Sequence, residues 1–597
     1  MKAFLRAAEA AEEINNDPQL ITWMVQVRNV AYDTEDALDE FMPRFGHNHG
    51  KGIYGFLHKI ACGIKTLRAR HRLASQVQSI KSRVNHIAET RKRYRENFSI
   101  AEQGSSSSSL DYRDNALLLQ EAQLVGIDKP KKQLIDLLVD EYLELKVISL
   151  TGMGGVGKTT LAKAVYDDTT VKTHFQSHVW ITVSEKFKID ELLKDMIKQL
   201  YKDAEKQNNT MLDYGEAKKK DHPELDTMNL NNLRMEITTF LKQKKYVVFL
   251  DDVWNIEDWE LFKSAFPDCM SGSRVLITTR KKTVALSRCA VVRELKPLPP
   301  KESWILFCNK AFGVKSCPKH VEEISRKIWE RCGGLPLALV VVGGLLSTKD
   351  LDNINEWERM NRNFTAELEE DDRVKSINRI LSLSYIELPC HLKLCFMYLS
   401  IFPEDYLIDH WQLIRLWVAE GFVTAEGKLT LEEVAEGYLK QLVGRSLIQV
   451  AVWRSDGRVK FYSIHDLWRE IILKKAMENN IVTIVKEKQR ILSDNVRRLS
   501  IQNDLENVTE WDDLNRLRSL LMFAKTNSIS NQQMLEALFR HLRLVKVLDL
   551  RDLPLEILPN EIVKAQHLRY LCLRATKISM LPKSIGELQN LETLDLK

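Results

Sequence analysis

The sequence contains no C-x-x-C pair and no apolar run long enough to cross a bilayer. Its nine cysteines are scattered, so their spacing favours neither a zinc site nor a disulfide framework. The longest apolar stretch, Leu335 to Leu346, is shorter than the roughly 20 residues that a transmembrane helix needs. The first residues are charged and lack the apolar core of a signal peptide. We therefore expect reduced thiols and a cytoplasmic protein.

The sequence also has little net charge. A formal charge of +5 over 597 residues indicates by itself neither a nucleic-acid partner nor a membrane partner. Apolar residues make up 44% and charged residues 28% of the chain, which is typical of globular proteins. Because single cores rarely exceed about 300 residues, the length predicts several domains.

A glycine-rich stretch between a predicted strand and a predicted helix is the strongest signal in the chain. It comprises Gly152, Met153, Gly154, Gly155, Val156, Gly157, Lys158, Thr159 and Thr160. The spacing G-x-x-x-x-G-K-[ST] is that of a phosphate-binding loop, in which glycines let backbone N–H groups converge on phosphate oxygens. We expect Lys158 to reach the terminal phosphates and the Thr159 hydroxyl to ligate Mg²⁺. The alternative is a turn that merely joins a strand to a helix.

Two later strand ends supply further candidates for this site. The apolar run Tyr246–Leu250 is followed by Asp251 and Asp252. We expect Asp251 to bind Mg²⁺ and Asp252 to orient a water molecule as a catalytic group, whereas the alternative is a solvated Asp-Asp turn. A later strand ends at Arg280, which either senses a terminal phosphate or is a surface arginine. The combination of loop and carboxylates in this order predicts nucleotide binding.

The first 95 residues have helical periodicity throughout. One helix carries acidic residues from Asp33 to Glu40, and a second, at about 64–94, is basic on its outer faces. That basic face could attract nucleic acid or an anionic membrane, but we favour a solvated face partly paired with the acidic helix. An antiparallel helical bundle is expected, followed by a flexible serine-rich linker at 103–109.

Strand and helix patterns alternate through the central region, which predicts a parallel sheet covered on both faces. The polar stretch Lys202–Pro223 is expected to be a mobile insertion. Helices follow from Pro297, and two short strands around Ser455–Gly457 are predicted to pair as a wing. His465 precedes Asp466 at the start of another predicted helix, where such a histidine is more often an N-terminal cap than a ligand.

The last part of the chain contains a repeat. The runs starting at Val545, Leu568 and Leu591 share the pattern L-x-x-L-x-L at intervals of about 23 residues, and a run at Leu517 fits loosely. This pattern is typical of the strands of leucine-rich repeats. A solenoid of such repeats needs a terminal cap, and the chain stops directly after a repeat strand, so we expect a truncated end.

Taken together, these features resemble a plant coiled-coil NLR, a nucleotide-binding leucine-rich-repeat immune receptor. The resemblance rests on motifs along nearly the whole chain: Gly152–Thr160, Phe249–Trp254, Gly272–Arg280, Gly334–Leu337, Cys395–Pro403 and Ile464–Asp466. The acidic stretch Glu35–Asp39 resembles the EDVID motif of the family's N-terminal domain.

The resemblance implies roles for particular residues. Val125 and Gly126 would line the base pocket, and Pro336 would pack near the adenine. Arg280 would meet the γ-phosphate, and His465 would contact the β-phosphate of ADP and hold the winged-helix domain closed. The implied cofactors are ADP or ATP with Mg²⁺, and the implied mechanism is a switch from an ADP-bound closed form to an ATP-bound form that oligomerises.

Three departures from the family pattern affect these expectations. The segment from Met1 to Arg6 resembles the interior of an early helix, so the family's first helix, which inserts into membranes in some members, is expected to be missing. Ile464 replaces the methionine of the M-H-D motif, and Ala37-Leu38 replaces Val-Ile in the acidic motif, both with retained apolar character. Only three or four clear repeats are present, which puts effector recognition in question.

The expected fold is multidomain: an α-helical bundle, an α/β P-loop NTPase of the NB-ARC type with helical and winged-helix subdomains, and a leucine-rich-repeat solenoid. The expected ranges are an N-terminal helical domain at 1–100, a linker at 101–119, a nucleotide-binding domain at 120–296, a helical subdomain at 297–375, a winged helix at 376–485 and repeats at 486–597.

Three hypotheses for the function remain. The leading one is a nucleotide-dependent immune switch with at most slow ATP hydrolysis, which senses a pathogen effector or a guarded host protein and assembles with copies of itself. A peripheral contact with the plasma membrane is included in this hypothesis. The second is an ATPase whose turnover is the output. The third is a P-loop regulator that binds DNA through its winged helix, but Trp411–Glu420 carries one arginine and much apolar surface, so we expect no nucleic acid.

Overall fold

The computed structural model describes residues 18–45, 74–87, 125–183, 187–208, 225, 228–268, 271–286, 291–313, 316–366, 373–485, 496–502, 514–523, 539 and 542–596. The serine-rich linker predicted at 103–109 lies outside the described residues, as does the segment from Met1 to Arg6.

Two helices of the N-terminal region are described. They are α1, Pro18–Phe45, and α2, residues 74–87. Arg83 of α2 forms an ion pair with Asp33 of α1, so the expected pairing between the basic and acidic helices is confirmed at this point. Val77 and Val84 of α2 are exposed, whereas Ile87 is buried.

Other acidic residues of α1 pair with the repeats. Asp36 accepts hydrogen bonds from Arg497 at 2.7 Å and from Arg518, both of which lie in the leucine-rich repeats. Glu35 accepts hydrogen bonds from Arg497 and Lys546 at 2.7 and 2.8 Å. Within the described residues the expected pairing with the basic helix is seen at Asp33, and Asp33 also forms an ion pair with Arg516 of the repeats. The repeats offer buried guanidinium groups, which need carboxylate partners more than the exposed cations of α2 do.

The central region contains an α/β layer structure, as the alternating pattern predicted. Its elements are α3 Asp128–Leu138, β1 Lys146–Thr151, α4 Lys158–Tyr166, α5 Thr169–His174, β2 Ser177–Thr182, α6 Ile189–Asn208, α7 Leu230–Leu241, β3 Tyr246–Asp251, α8 Ile256–Lys263, β4 Arg274–Thr279, α9 Lys282–Leu286 and β5 Val291–Glu294. The strands form one parallel sheet in the order β2-β3-β4-β1-β5. β3 and β4 are buried along their whole length, which explains the apolar runs at 246–250 and 275–277.

Helix α6 corrects one expectation about this region. It continues to Asn208 and so includes the first part of the stretch Lys202–Pro223, which was expected to be a mobile insertion. The helix persists because its side chains have partners in the fold: Asp203 lies 3.2 Å from His178 Nδ1, and Tyr201 donates a hydrogen bond to Glu236. Residues 209–224 lie outside the described part of the chain.

Helices follow the parallel sheet, as expected. They are α10 Pro300–Phe312, α11 Lys319–Arg331, α12 Pro336–Leu346, α13 Ile354–Ala366, α14 Arg373–Ile386, α15 Cys390–Tyr398, α16 His410–Glu420, α17 Leu431–Gly444 and α18 Asp466–Glu478. The short strands β6 Ile408–Asp409, β7 Gln449–Trp453 and β8 Val459–Ser463 form an antiparallel sheet in the order β6-β8-β7, which confirms the predicted wing. One apolar core runs through these elements, from Val156 of the glycine-rich loop to Trp468 of α18.

The repeats form a second parallel sheet with its own apolar core. Its strands are β9 Thr483–Val485, β10 Arg498–Ile501, β11 Ser519–Met522, β12 Val547–Asp549, β13 Tyr570–Cys572 and β14 Thr593–Asp595, in sequence order. Val547 pairs with Tyr570 and Tyr570 with Thr593, so the 23-residue sequence interval equals one step of the sheet. The sheet starts at β9, upstream of the boundary expected at residue 486.

Candidate functional site

The candidate site lies where the carboxyl ends of three neighbouring strands meet. β1 leads into the glycine-rich loop, β3 ends in Asp251, and β4 ends just before Arg280. These strands are adjacent and parallel in the sheet, so their carboxyl ends are brought to the same edge. The structure therefore places the residues predicted from three separate motifs at one site.

The backbone of the glycine-rich loop has a left-handed conformation at Gly155 and Gly157. Gly155 has φ +74° and Gly157 has φ +97°, both in the left-handed region that other residues rarely adopt. Gly157 caps the N-terminus of α4, and a Cβ built on it meets no protein atom within 4 Å. A loop of this shape at a helix N-terminus directs backbone N–H groups and a partial positive charge at an anion.

Lys158 lies at the centre of this loop and is buried. Its ammonium group donates to the carbonyl oxygens of Gly152 at 2.8 Å and Met153 at 3.0 Å. Burial lowers the pKa of Lys158 to about 8, although the negative charges of Asp252 and Asp251 oppose this shift. A buried cation whose hydrogen bonds, within the described part of the chain, go to neutral carbonyls is well placed to bind phosphate oxygens in exchange for them.

Asp251 lies beside the first residues of α4. Its Oδ1 accepts hydrogen bonds from Thr159 Oγ1 at 3.1 Å and Thr278 Oγ1 at 2.5 Å. Burial, with the charge of Asp252 adding to it, raises the pKa of Asp251 to about 6. An anionic Asp251 in this position would be stabilised by a cation.

The group formed by Thr159 and Asp251 fits Mg²⁺ bound together with a nucleotide. Mg²⁺ prefers oxygen ligands and commonly uses one or two protein oxygens plus substrate phosphates and water. No cluster of three or more histidine, cysteine or acidic side chains suited to a metal occurs within the described ranges. A site completed by phosphate oxygens is consistent with that finding.

Asp252 and Arg280 interact at the edge of the same site. Asp252 has φ +56°, and its backbone N–H donates to Thr278 Oγ1 at 2.8 Å. Its carboxylate lies 3.4 Å from Arg280 Nη2, and burial raises the pKa of Asp252. Arg280 also lies over the ring of Trp254, 5.1 Å from its centroid. Arg280 is therefore held within the site rather than on the open surface.

The carboxylates around Arg280 include two from α18. Arg280 Nη2 donates a hydrogen bond to Asp466 Oδ2 at 2.5 Å, and Arg280 Nη1 lies 3.4 Å from Glu470 Oε1. This contact connects the sheet of the α/β region to the helix that follows the wing, across 186 residues of sequence.

His465 is the N-terminal cap of α18. Its Nδ1 accepts a hydrogen bond from the backbone N–H of Leu467 at 3.2 Å, as the capping interpretation predicted. Burial lowers the pKa of His465, with the negative charge of Asp466 opposing the shift. Because Nδ1 is an acceptor, a neutral His465 carries its proton on Nε2, which remains a donor.

Leu298 contacts both segments that were expected to line the adenine pocket. A Cβ built on Gly126 would lie 2.8 Å from Leu298 Cδ2, and the backbone N–H of Leu298 donates to Gly334 O at 2.8 Å. Gly334 stands two residues before Pro336, the first residue of α12. Val125 and Gly126 are half-buried beside this junction.

Sequence comparisons identify four known domains in this order. The Rx N-terminal domain matches residues 1–89, the NB-ARC domain 127–317, the disease resistance protein winged helix domain 401–472 and a leucine-rich repeat region 516–597. A putative disease resistance RPP13-like protein 3 from Arabidopsis thaliana is 33% identical over 610 residues, which cover 99% of this chain and 68% of the relative. Disease resistance protein RPM1 from the same plant is 33% identical over 91% of this chain and 58% of its own length.

The chain belongs to the plant NLR disease resistance proteins. The Rx-type N-terminal domain places it in the coiled-coil class, and the NB-ARC domain supports nucleotide binding. The chain spans about 58–68% of the length of these two relatives. No helix among the described residues is both long enough and apolar enough to span a bilayer.

A search of solved structures adds no argument to this family assignment. A STAND-type signal transduction ATPase with a tetratricopeptide repeat sensor from Pyrococcus horikoshii matches with 17% identity and a TM-score of 0.35, over 59% of this chain and 44% of that chain.

Sequence reasoning missed several residues at this NLR site. Leu467 packs against the glycine-rich loop. If a Cβ were added at Gly154, it would lie 3.4 Å from both Cδ atoms of Leu467. Glu470 joins Arg280 from the exposed side of α18. Asp405 lies close to the carboxylates of the site, and desolvation together with the charge of Asp466 raises its pKa to about 7. A carboxylate in the Phe402–Asp405 turn was visible in the sequence, but nothing in the spacing connected it to the loop.

Proposed function

We propose that this protein is an intracellular innate immune receptor of plant defence that works as a nucleotide-dependent switch. ADP holds the receptor closed, and ATP favours an open form that oligomerises and triggers defence and hypersensitive cell death. The observation that carries this proposal is the ion pair between Arg280 and Asp466, because it joins the strand end beside the glycine-rich loop to the winged-helix region.

The residues of the loop hold the nucleotide in this proposal. Backbone N–H groups from Gly152 to Thr160 surround the phosphates, and Lys158 exchanges its two carbonyl contacts for phosphate oxygens. Thr159 and Asp251 bind Mg²⁺, which neutralises phosphate charge when bound. Val125, Gly126 and Pro336 line the pocket for the adenine.

The closed form depends on the start of α18. His465 donates a hydrogen bond from Nε2 to the β-phosphate of ADP, while the carboxylate of Asp466 pairs with the guanidinium of Arg280. A γ-phosphate competes with Asp466 for the same guanidinium, so ATP binding frees α18 from the strand end. Moving such an equilibrium from 1:99 to 99:1 requires about 5.5 kcal/mol of preference between the two states. The contacts of His465 and Arg280 supply part of that preference.

The first test is the nucleotide content of the purified protein, measured by denaturing it and chromatographing the released ligand. We expect close to one ADP per chain. An empty site that also fails to take up ATP would remove the proposal. Uptake of both nucleotides with a strong preference for ADP at rest would support it.

Steady-state turnover separates the switch from an ATPase whose turnover is the output. Asp252 orients water in both cases, but its carboxylate is engaged by Arg280 at 3.4 Å, which favours slow hydrolysis. Turnover at or above about 1 s⁻¹, the low end of ordinary enzyme rates, would contradict the switch.

The orientation of α16 counts against a DNA-binding regulator. Most of this helix is buried, and Gln412 and Glu420 are hydrogen-bonded to residues of the repeats. A helix in this position does not present a basic face to a DNA groove. Salt-sensitive binding to duplex DNA would contradict this argument.

We also propose a pathogen effector or a guarded host protein as the activating partner, a self-oligomer as the active form, and a cytoplasmic location with peripheral contact at the plasma membrane. Cell fractionation before and after activation tests the location. Size measurement of the ATP-bound protein tests the oligomer.

A further inference from the structure

Helix α12 connects the glycine-rich loop to the winged-helix region. Almost all of its residues are buried, and it packs in the core that extends from Val156 to Trp468. Its two ends make unusually close contacts with other backbone segments. These contacts, rather than the side chains of the nucleotide site, limit how far the helix can move without displacing its neighbours.

The N-terminal end of α12 contacts the glycine-rich loop directly. The backbone N–H of Leu337 donates to Gly155 O at 3.2 Å. A Cβ built on Gly155 would lie 2.8 Å from Leu337 Cβ, so the two segments are as close as a glycine allows. Any displacement of this end of α12 must therefore move the loop or break the hydrogen bond.

The C-terminal end of α12 contacts the end of α17 just as closely. A Cβ built on Gly344 would lie 2.9 Å from Gly444 O and 3.0 Å from Arg445 C and Cα. All three are backbone atoms, so no side-chain rotation could make room for an added methyl group. Gly444 ends α17, and the chain continues from there into β7 of the wing.

We propose that α12 is a rigid link that couples the position of the wing to the strength with which the glycine-rich loop binds nucleotide. Leu337 and Gly344 are seven residues apart, which is about 10 Å along a helix. A short, fully packed helix transmits displacement instead of absorbing it, because close-packed interiors are hardly compressible. When α17 moves away from Gly344, the Leu337–Gly155 contact loosens and bound nucleotide is released faster.

The inference rests on the proposed nucleotide binding at this loop. The substitution Gly344→Ala in the full chain tests it, with a fluorescent ADP analogue as the probe. We expect the analogue to dissociate at least tenfold faster than from the unchanged protein. Gly437→Ala is the matched control, because Gly437 lies within α17, the helix that Gly344 approaches, and a Cβ built on it meets nothing within 4 Å. That control should release the analogue at the unchanged rate.

A second measurement does not depend on the variant folding. Hydrogen exchange of the unchanged protein should slow on ADP addition at the loop and also at the amides of Arg445 and Leu447, which are hydrogen-bonded to α17. Protection of the loop alone, or equal dissociation rates for Gly344→Ala and Gly437→Ala, would overturn the inference while leaving nucleotide binding intact. If the unchanged protein binds no ADP analogue, the proposed function and this inference both fail.

Discussion

Arg280 donates a hydrogen bond to Asp466 at 2.5 Å, which places the end of β4 in direct contact with the first turn of α18. The side chains of Arg280 and Asp466 are 20% and 31% exposed, so water screens this pair only in part. The same guanidinium is 3.4 Å from both Asp252 and Glu470. Asp466 is therefore the closest of the three carboxylates that would compete with a terminal phosphate for Arg280 in the proposed switch.

Asp466→Val should release ADP faster and cause signalling without a pathogen. Loss of a partly exposed ion pair costs about 1 kcal/mol, which corresponds to roughly a fivefold change in the closed-to-open ratio. ADP dissociation and cell death in leaf tissue measure the two effects. Glu470→Gln is the control, because Glu470 is more exposed and more distant, and it should change neither.

Lys158→Arg should silence the Asp466→Val protein. The longer, planar arginine side chain does not fit the two carbonyl contacts of Lys158 and cannot replace a compact ammonium at the phosphates. Bound nucleotide and cell death should both be lost in the double variant. Full activity of the double variant would show that Lys158 is not needed for phosphate contact, and the proposed mechanism would fail.

Lys158→Met should stabilise the nucleotide-free protein at pH 7. Burial lowers the pKa of Lys158 to about 8 in the folded protein, below its value of about 10.5 in the unfolded chain. A folded pKa that is lowered means that the charge destabilises the fold below about pH 8 and that this cost disappears as the pH rises towards 10.5. We expect a gain of about 1–3 kcal/mol at pH 7.

Urea unfolding of nucleotide-free protein at several pH values measures this gain. The difference between Lys158→Met and the unchanged protein should shrink between pH 8 and pH 10.5. A Lys158→Met protein that is less stable at pH 7 would show that the ammonium is better satisfied by its carbonyl contacts than we infer.

The sequence predicted those parts of the site that lie within a short stretch. The loop from Gly152 to Thr160 is contiguous, and Asp251 and Arg280 follow apolar runs that end at the edge of a parallel sheet. The partner of Arg280 could not be predicted from spacing, because Asp466 is 186 residues away. The same limit applies to Asp36, whose partner Arg497 is 461 residues away.

Close contacts between backbone segments also could not be predicted from the sequence. The requirement for glycine at position 344 comes from the approach of Gly444, and nothing in the continuous apolar sequence of α12 signals that approach. The fold class was easier to predict, because strand alternation, the wing and the 23-residue repeat each depend on local periodicity.

Asp36→Ala should weaken the attachment of helix α1 to the repeats. Asp36 lies between Arg497 and Arg518, which are 3% and 2% exposed, and its removal leaves these buried cations with fewer carboxylates. Glu35 and Asp39 remain nearby, so we expect a loss of about 2 kcal/mol rather than the full cost of an unpaired buried charge.

Hydrogen exchange of the α1 amides measures this loss, which corresponds to roughly 30-fold faster exchange by opening of the helix. Gln26→Ala, at an exposed position of the same helix, should leave the rate unchanged. Unchanged exchange in Asp36→Ala would mean that other contacts, such as that of Arg28 with Asn479, hold α1 in place.

Glu420→Ala should destabilise the junction between the winged helix and the repeats. The Glu420 side chain is 1% exposed, forms an ion pair with Arg498 at 2.8 Å and accepts a hydrogen bond from Ser519. Its removal leaves the largely buried guanidinium of Arg498 without this partner, and breaking such a pair costs about 3–5 kcal/mol. Glu420→Gln should cost less, because its amide oxygen still accepts from Arg498 and Ser519.

Urea unfolding of the full chain, followed by tryptophan fluorescence, compares these variants with Glu432→Ala. Glu432 lies at an exposed position of α17, where loss of the carboxylate should change stability by less than about 0.5 kcal/mol. The contacts of Glu420 join α16 to the first repeat strands. Glu420→Ala should therefore lower the urea midpoint of the winged helix and of the repeats together. A change confined to the repeats would mean that Glu420 stabilises β10 and β11 without joining them to the winged helix.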